Sequence, residues 1–525
     1  MSQPPLRSAA SDSWDILLLV AISLLLIVVS MVSLPLPSVV CAQDVGVLLD
    51  AGWRFYQGQK CHADYISPLG PLFGMLPGIF FKLNGPEYAS LRFLPAAITL
   101  VTSVWIFALT RGTVPKLVAL VGSVSVGLFA GGLFHPGFEH RALTFAVFYN
   151  RVGYGLLCVA FVAACFPREN CGACKRMFLD ASLGAALGLM LFLKINFFAA
   201  GCLFALLSLL LFRRTAKEWA CLVASAGVVG VVFGFAIGFR FDLMFSDLRL
   251  ALFAREGSTS NLFFYPLRNF QANADYFAIA GLLSVAAALF AFQEPKLRRS
   301  ALIALGLFWS AVVVGFGLTL MQSHGDGRCF PTIVAGAMAI VAWIGIGQAR
   351  QYLTYRILAA GALVVSTMVI WPHVSAYQFL TTLRAEQLPG TFDSPALSDW
   401  KITAFNSWGE DFVPMINEGI SLIRNNTEPG GSLQYIDMAN NFSFALGMRS
   451  PKRAVLWWDD RSTYSAKSHP GTEVFEDTDY LLLPVTRPIQ PQPVWSQIYG
   501  SYVAEHYEEA ARSQNFLLLR RKDNS

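Results

Sequence analysis

The side chains in this sequence best suited to chemistry are carboxylates and cations at the joints between long apolar runs. Asp44 opens the stretch Gln43-Asp44-Val45-Gly46-Val47-Leu48-Leu49-Asp50-Ala51-Gly52-Trp53-Arg54-Phe55-Tyr56, and Asp64 precedes Tyr65 and a turn rich in Pro and Gly. A carboxylate at the wet edge of an apolar run can take a proton from a hydroxyl, as a general base. The plainer uses are a helix cap for Asp44 and a turn cap for Asp64. Asp50 falls on another face of the same helix and is left out. Lys194, in Leu193-Lys194-Ile195-Asn196, interrupts two apolar runs, where a lysine is costly unless it is paired, working or snorkelling. His324-Gly325-Asp326-Gly327-Arg328-Cys329-Phe330-Pro331 is either a tight turn or an anion-binding loop in which Arg328 forks onto oxygens and His324 donates. A further joint holds His135, Glu139, His140 and Arg141, then Tyr149, Asn150 and Arg151. Its two His and one acid could hold a divalent cation, and Asn150 and Arg151 could simply pin a helix end.

The chain that must position these groups has 525 residues, 55% hydrophobic and only 14% charged. Its mean hydropathy is +0.50. Soluble domains carry about a quarter charged residues, so a soluble globule, a disordered chain and a small disulfide scaffold are excluded. A net charge of +5 is no argument for nucleic acid, because it has a simpler use in membrane orientation. Residues 1–375 hold 26 Lys+Arg and 16 Asp+Glu, while 376–525 hold 13 and 18. The first part reads as a membrane domain and the second as a domain charged like a soluble one, with the boundary near Trp371–Tyr377.

Runs long enough for a bilayer, about 20 residues each, lie at 16–34, 88–110, 115–134, 152–167, 177–193, 195–212, 218–239, 276–293, 300–321, 331–347 and 356–374. The pair 177–193 and 195–212 is split at Lys194, because one helix of that length would overshoot the bilayer about twofold. Five joints are short and basic: Arg111/Lys116, Arg168/Lys175/Arg176, Arg213/Arg214/Lys217, Lys296/Arg298/Arg299 and Arg350/Arg356. The alternate joints are longer and mixed. The positive-inside rule then makes the basic joints and the N-terminus cytoplasmic, with 376–525 extracytoplasmic in a plasma or inner membrane. All seven His fall at the outer side or its edge.

In the first outer loop, Val45, Leu48, Leu49, Trp53 and Tyr56 recur at helical spacing. They predict an amphipathic helix on the membrane surface, begun at Asp44 and closed by Gly58. A second juxtamembrane helix is expected over Leu69–Leu83. Cys41 and Cys61 share this loop and could form a disulfide. Cys171-Gly172-Ala173-Cys174 lacks a second pair and reads as two reduced thiols.

An acid just after the first span, a surface helix ending in Gly58, Asp64-Tyr65, Gly70-Pro71-Leu72, and Arg92 opening the second span together resemble the GT-C superfamily of membrane glycosyltransferases. The protein O-mannosyltransferase and lipid A aminoarabinose transferase branch (glycosyltransferase family 39-like) is the nearest likeness. Many members carry Asp-Glu at the first acidic site; here Val45 follows Asp44. The resemblance implies a mainly α, polytopic helical bundle of about eleven spans, with juxtamembrane helices and a C-terminal α/β extracytoplasmic domain. It also implies a sugar donor on polyprenyl phosphate, with single displacement onto a hydroxyl of a glycan, lipid or protein. The chain agrees in having no Gly-rich phosphate loop. No cofactor is implied, since this branch is metal-independent in catalysis.

On that reading Asp44 is the catalytic base, and Asp64 beside it in the catalytic loop positions the acceptor or the loop. Arg92 matches the family's arginine at the second span. Lys194, His324 and Arg328 serve the phosphate, converging from distant parts of the chain. Glu139, His140, Tyr149 and Arg151 serve the sugar. In the C-terminal part, helical spacing appears at 412–424, strands at Ser432–Met438 and Tyr480–Pro484, and a closing hairpin over Tyr502–Glu509 and Asn515–Arg521. His469 and His506 read as ordinary surface residues. The alternative function is a transporter or flippase for a lipid-linked saccharide, which predicts charge near the bilayer middle and paired halves. The polar residues instead concentrate at one face.

Overall fold

The computed structural model describes residues 17–22, 25, 28, 36–38, 41–134, 143–169, 171–254, 270–271, 273–320, 331–346, 353–382, 390–402, 411–459, 463–464, 469–486 and 492–522. A helix occupies each of the apolar stretches, the first of them described at 17–22, 25 and 28. After a short strand β1 (Leu36–Ser38) come two loop helices, α1 (Ala42–Tyr56) and α2 (Leu72–Asn84). The long helices follow: α3 (Phe93–Thr110), α4 (Lys116–Gly131), α5 (Phe148–Cys165), α6 (Ala173–Leu191), α7 (Ile195–Leu211) and α8 (Ala216–Ala236). Next are α9 (Phe241–Ala254), α10 (Ala274–Gln293), α11 (Arg298–Leu320), α12 (Thr332–Ile344) and α13 (Leu353–Thr382). By length and composition, six described segments qualify as membrane spans: Tyr88–Thr110, Phe148–Cys165, Ala216–Ala236, Ala274–Gln293, Pro295–Leu320 and Leu353–Phe379.

Lys194 does break the long apolar run. α6 ends at Leu191, Lys194 takes extended backbone as the cap, and α7 starts at Ile195. The start of α8 is fixed by a capping box, Thr215 and Glu218 each bonding the other's backbone N–H, which satisfies two orphan amides at once. Burial orders the bundle. In α5, 94% of the spanning window is buried, against 11% in α8, so α5 is the axis and α8 an outer helix. Polar ties hold α5 in place. Tyr154 Oη lies 2.9 Å from Thr319 Oγ1 of α11, and Trp343 Nε1 of α12 donates to the Cys165 carbonyl at 2.8 Å.

Two of the basic joints meet at one end of the bundle. Arg168 grips Asp180 through two bonds of 2.7 and 2.8 Å, Arg214 reaches the same carboxylate at 2.7 Å, and Arg176 pairs with Glu218 at 2.7 Å. These arginines therefore have a structural use. They are ion-paired, and Arg168, Arg214, Asp180 and Glu218 are removed from solvent.

The C-terminal part packs at the other end. β2 (Trp400–Ile402) adds in parallel to β1, and Trp400 Nε1 donates to Ser38 Oγ at 2.8 Å. A four-stranded sheet of β3 (Leu433–Tyr435), β4 (Tyr480–Pro484), β5 (Tyr507–Arg512) and β6 (Phe516–Arg521) runs in the order β3-β4-β6-β5. β3 and β4 are parallel; the other pairs are antiparallel. Around the sheet lie α14 (Phe412–Asn426), α15 (Asn441–Leu446), α16 (Gly471–Val474) and α17 (Gln492–His506).

Helix α13 continues through Pro372 to Thr382. One sequence expectation changes here. The expected strand from Tyr502 is the end of α17, whose Trp495 and Tyr499 pack on Trp458 and Phe475, so that β5 begins only at Tyr507.

Candidate functional site

Helix α1 forms because Val45, Leu48, Leu49, Ala51 and Trp53 make an apolar stripe, and all five are buried. It starts earlier than the sequence suggests. Cys41 is the N-cap, in left-handed backbone at φ 52°, and Asp44 sits in the first turn. A carboxylate there interacts favourably with the helix dipole. Asp44 is half-buried. Burial, reinforced by the Asp44 charge, pushes the Cys41 thiol up to about 12. Cys41 and Cys61 do not bridge: all eight cysteines among the described residues are free.

The helix is buried in protein along most of its length. Its polar face is buried against the C-terminal part, and the groups on that face are those the sequence reading left out. Arg54 Nε donates to Asp50 at 2.9 Å with both side chains fully buried. The Ser450 hydroxyl reaches the other Asp50 oxygen at 3.1 Å, and Arg54 Nη1 donates to the Pro451 carbonyl at 2.9 Å. Trp53 Nε1 and Gln57 Nε2 both donate to the Met448 carbonyl. Burial pushes the Asp50 carboxyl up, against the pull of Arg54 and Ser450. The spacing of Asp50 and Arg54, one helical turn apart, was the available signal.

A prediction follows from this pair. Arg54→Ala leaves a buried unpaired carboxylate, a loss of about 3–5 kcal/mol. Thermal melts of purified protein should show that loss, and the double replacement Asp50→Leu with Arg54→Met should recover most of it.

Beyond Gly58, at φ +83°, the chain folds back. The turn 60–64 is closed by Lys60 N–H donating to Asp64 Oδ2 at 2.7 Å, and Lys452 stands 3.7 Å from the other oxygen. Asp64 also accepts the Arg453 N–H through its carbonyl. Asp64 thus holds a turn and a domain contact.

The next segment approaches the α6–α7 break. Gly70 N–H donates to the Leu193 carbonyl at 3.1 Å and Leu72 N–H to that of Phe192 at 3.0 Å. A methyl group at position 70 would collide with the Phe192 backbone, so glycine is required for this approach. Lys194 follows directly. Its ammonium donates to Asn150 Oδ1 at 3.0 Å and lies 4.9 Å from the centre of the Tyr149 ring, which meets Phe73 of α2 edge-on at 5.3 Å. Lys194, Tyr149 and Asn150 are therefore brought together beside the first loop. Asn150, rated a mere pin from sequence, is the partner of Lys194.

Two other candidates have structural partners. Arg92, at the end of the 3₁₀ turn Tyr88–Arg92, donates to Asp399 at 2.6 Å and joins the bundle to the C-terminal part. Arg151 is buried and donates to the carbonyls of Phe134 and Thr144 at 2.9 and 2.8 Å, holding those two residues together. Glu139, His140, His324 and Arg328 lie outside the described residues, and with them the expected convergence on Lys194. Among the described residues no group of three or more His, Cys, Asp or Glu is placed to hold a metal ion.

His62 and Asp247 form a pair that spacing could not reveal, being 185 residues apart. His62 Nδ1 is 2.8 Å from Asp247 Oδ2, which also accepts the Ser67 N–H at 3.1 Å. This ties the loop to α9. Burial pulls the imidazolium down, but Cys61 and Asp247 pull it further up, to about 10. A folded value above the usual His value of about 6.5 stabilises the fold fully below 6.5 and less as pH rises toward 10. Melting temperature should fall across that window, and Asp247→Asn should flatten the fall.

No family model matches the chain, and no curated protein does. Solved structures do. The lipid A aminoarabinose transferase ArnT from Cupriavidus metallidurans in the apo state is 14% identical, with a TM-score of 0.46, over 97% of this chain and 98% of that one. The same enzyme bound to undecaprenyl phosphate gives 13% identity and a TM-score of 0.41, over 98% and 99%. The apo oligosaccharyltransferase from Archaeoglobus fulgidus gives 13% and 0.39, over 89% of this chain and 69% of that one.

Proposed function

We propose that this chain is an integral membrane glycosyltransferase that moves a sugar from a polyprenyl-phosphate donor to an acceptor hydroxyl on the extracytoplasmic side. The observation that carries the reading is the seating of the first loop against Lys194. Bonds from Gly70 and Leu72 to residues 192–193 put the loop that bears Asp44 and Asp64 next to a lysine, an amide and an aromatic ring at a helix start. Such a cluster suits a phosphate and the sugar it carries: Lys is a point charge for phosphate oxygens, and Tyr149 offers a ring face.

In the reaction, the Asp44 carboxylate takes the acceptor hydroxyl proton as the acceptor oxygen bonds to the anomeric carbon. The bond from that carbon to the phosphate oxygen breaks, and its electron pair leaves with the lipid phosphate, whose charge Lys194 stabilises. Arg328 and His324 are proposed to complete the phosphate site, Glu139 and His140 the sugar site. Asp64, Arg92 and Arg151 hold the loops that frame it. No metal or cofactor is invoked.

The orientation belongs to the same proposal. Eleven crossings with the Arg111, Arg168, Arg214, Arg298 and Arg350 joints facing the cytoplasm leave the first loop and 376–525 outside. The test is turnover of a panel of polyprenyl-phosphate sugars by purified protein with membrane extract as acceptor. Release of free polyprenyl phosphate from one member is expected. Release no faster than in buffer, across the panel, would overturn the reading.

A further inference from the structure

The basic end of the bundle, away from the Lys194 cluster, holds a cavity of about 230 Å³. Three joints line it: Arg111, Gly112 and Thr113 after α3, Pro167, Glu169, Cys171 and Gly172 between α5 and α6 with Lys175 of the first turn of α6, and Gly345 and Ile346 after α12. Its charged groups are Arg111, Lys175 and Glu169. Lys175 is half-buried, and its ammonium donates to the Ala108 carbonyl. An ammonium has three donors, so that carbonyl leaves donor capacity unused. Among the described residues, Asp180 is engaged by Arg168 and Arg214, and Glu218 by Arg176. The first turn of α6 forms part of the wall, has no side-chain cap and contains no acid. Space in front of Gly112 and Gly172 is open.

We infer that this cavity binds the phosphodiester of an anionic headgroup, held by Lys175 and Arg111. The cavity and its cations carry the assignment; the helix end adds donors to it. The volume is below the roughly 300–1,000 Å³ of pockets for drug-sized ligands, which suits a small headgroup. Glu169 disfavours a second negative charge and can accept from a hydroxyl, so a singly charged headgroup bearing hydroxyls, of the phosphatidylglycerol type, fits best. Basic pockets between helices at the cytoplasmic face are where acidic lipids bind. Placing the site on that face rests on the orientation proposed above; the phosphate chemistry does not.

The test uses full-length purified protein in nanodiscs. Binding of phosphatidylglycerol is measured by native mass spectrometry against phosphatidylcholine, with inorganic phosphate as competitor. Preference for phosphatidylglycerol is expected, weakened about tenfold or more by Lys175→Gln, as for loss of a charged hydrogen bond. Lys175→Arg should keep it, which separates lost charge from lost folding. Competition by inorganic phosphate with no lipid preference would keep the phosphate site and assign it a soluble source. Equal binding of both lipids without phosphate competition, or binding unaffected by Lys175→Gln, would overturn it. Nanodiscs expose both faces, so the outcome does not depend on orientation, which labelling of the exposed Cys174 by an impermeant maleimide in intact cells reads separately.

Discussion

Replacing Asp44 with Asn is expected to remove nearly all transfer while leaving the protein folded. The acceptor hydroxyl must lose its proton as the sugar bond forms. A positioned base contributes about 10²–10⁴-fold to such a step. Asn keeps the size and the hydrogen-bonding ability of Asp in the first turn of α1 but cannot take a proton. If Asp44 served only the helix end, its loss would cost about 1 kcal/mol or less of stability and little turnover. Comparing kcat with the melting temperature of the same preparation separates the two. A variant that melts like the parent and turns over near normally would move the base elsewhere. Asp64 would be tested next, though its bonds to Lys60 and Lys452 suit a turn better than a base.

Lys194→Ala is expected to have the second largest effect. The lysine sits at a helix start against Asn150 and Tyr149, where it can meet the charge that develops on the leaving phosphate. Removing one preorganised donor of this kind costs about 10²–10³-fold in kcat. Lys194→Arg should restore part of the rate, because the charge returns on a different stem. Asn150→Ala should mimic a weaker version, since it frees the ammonium without removing it. If Lys194 merely snorkels, Lys194→Ala leaves kcat unchanged.

The helices were legible because apolar runs at bilayer length leave little choice, and Lys194 broke the longest run where its charge demanded. The strand Tyr480–Pro484 was equally plain, an apolar run bounded by Asp479 and Val485-Thr486. What was not legible came from pairings between distant segments. Nothing in Leu36–Ser38 announces a parallel partner at Trp400–Ile402. From sequence Asp50 is left out as lying on another face of its helix, because the partner that helps bury it, Ser450, is 400 positions away. From sequence Tyr502–His506 belongs to the closing hairpin, yet Trp495, Tyr499 and Val503 recur at helical spacing, and packing on Phe475 decides for the helix. Lys194 and Tyr149, singled out by type and location, stand together. Arg151, singled out in the same way, and Arg92, singled out by family resemblance, have partners that fix the fold, the Phe134 and Thr144 carbonyls and Asp399.

The central claim is that the sugar leaves its lipid rather than crossing the bilayer on it. The most direct measurement reconstitutes the protein in liposomes with a doubly labelled polyprenyl-phosphate sugar and an acceptor, and follows both labels. Transfer predicts sugar label on the acceptor and an equal amount of free polyprenyl phosphate, both lost with Asp44→Asn. Intact lipid-linked sugar appearing on the opposite leaflet, with no free polyprenyl phosphate, would contradict it.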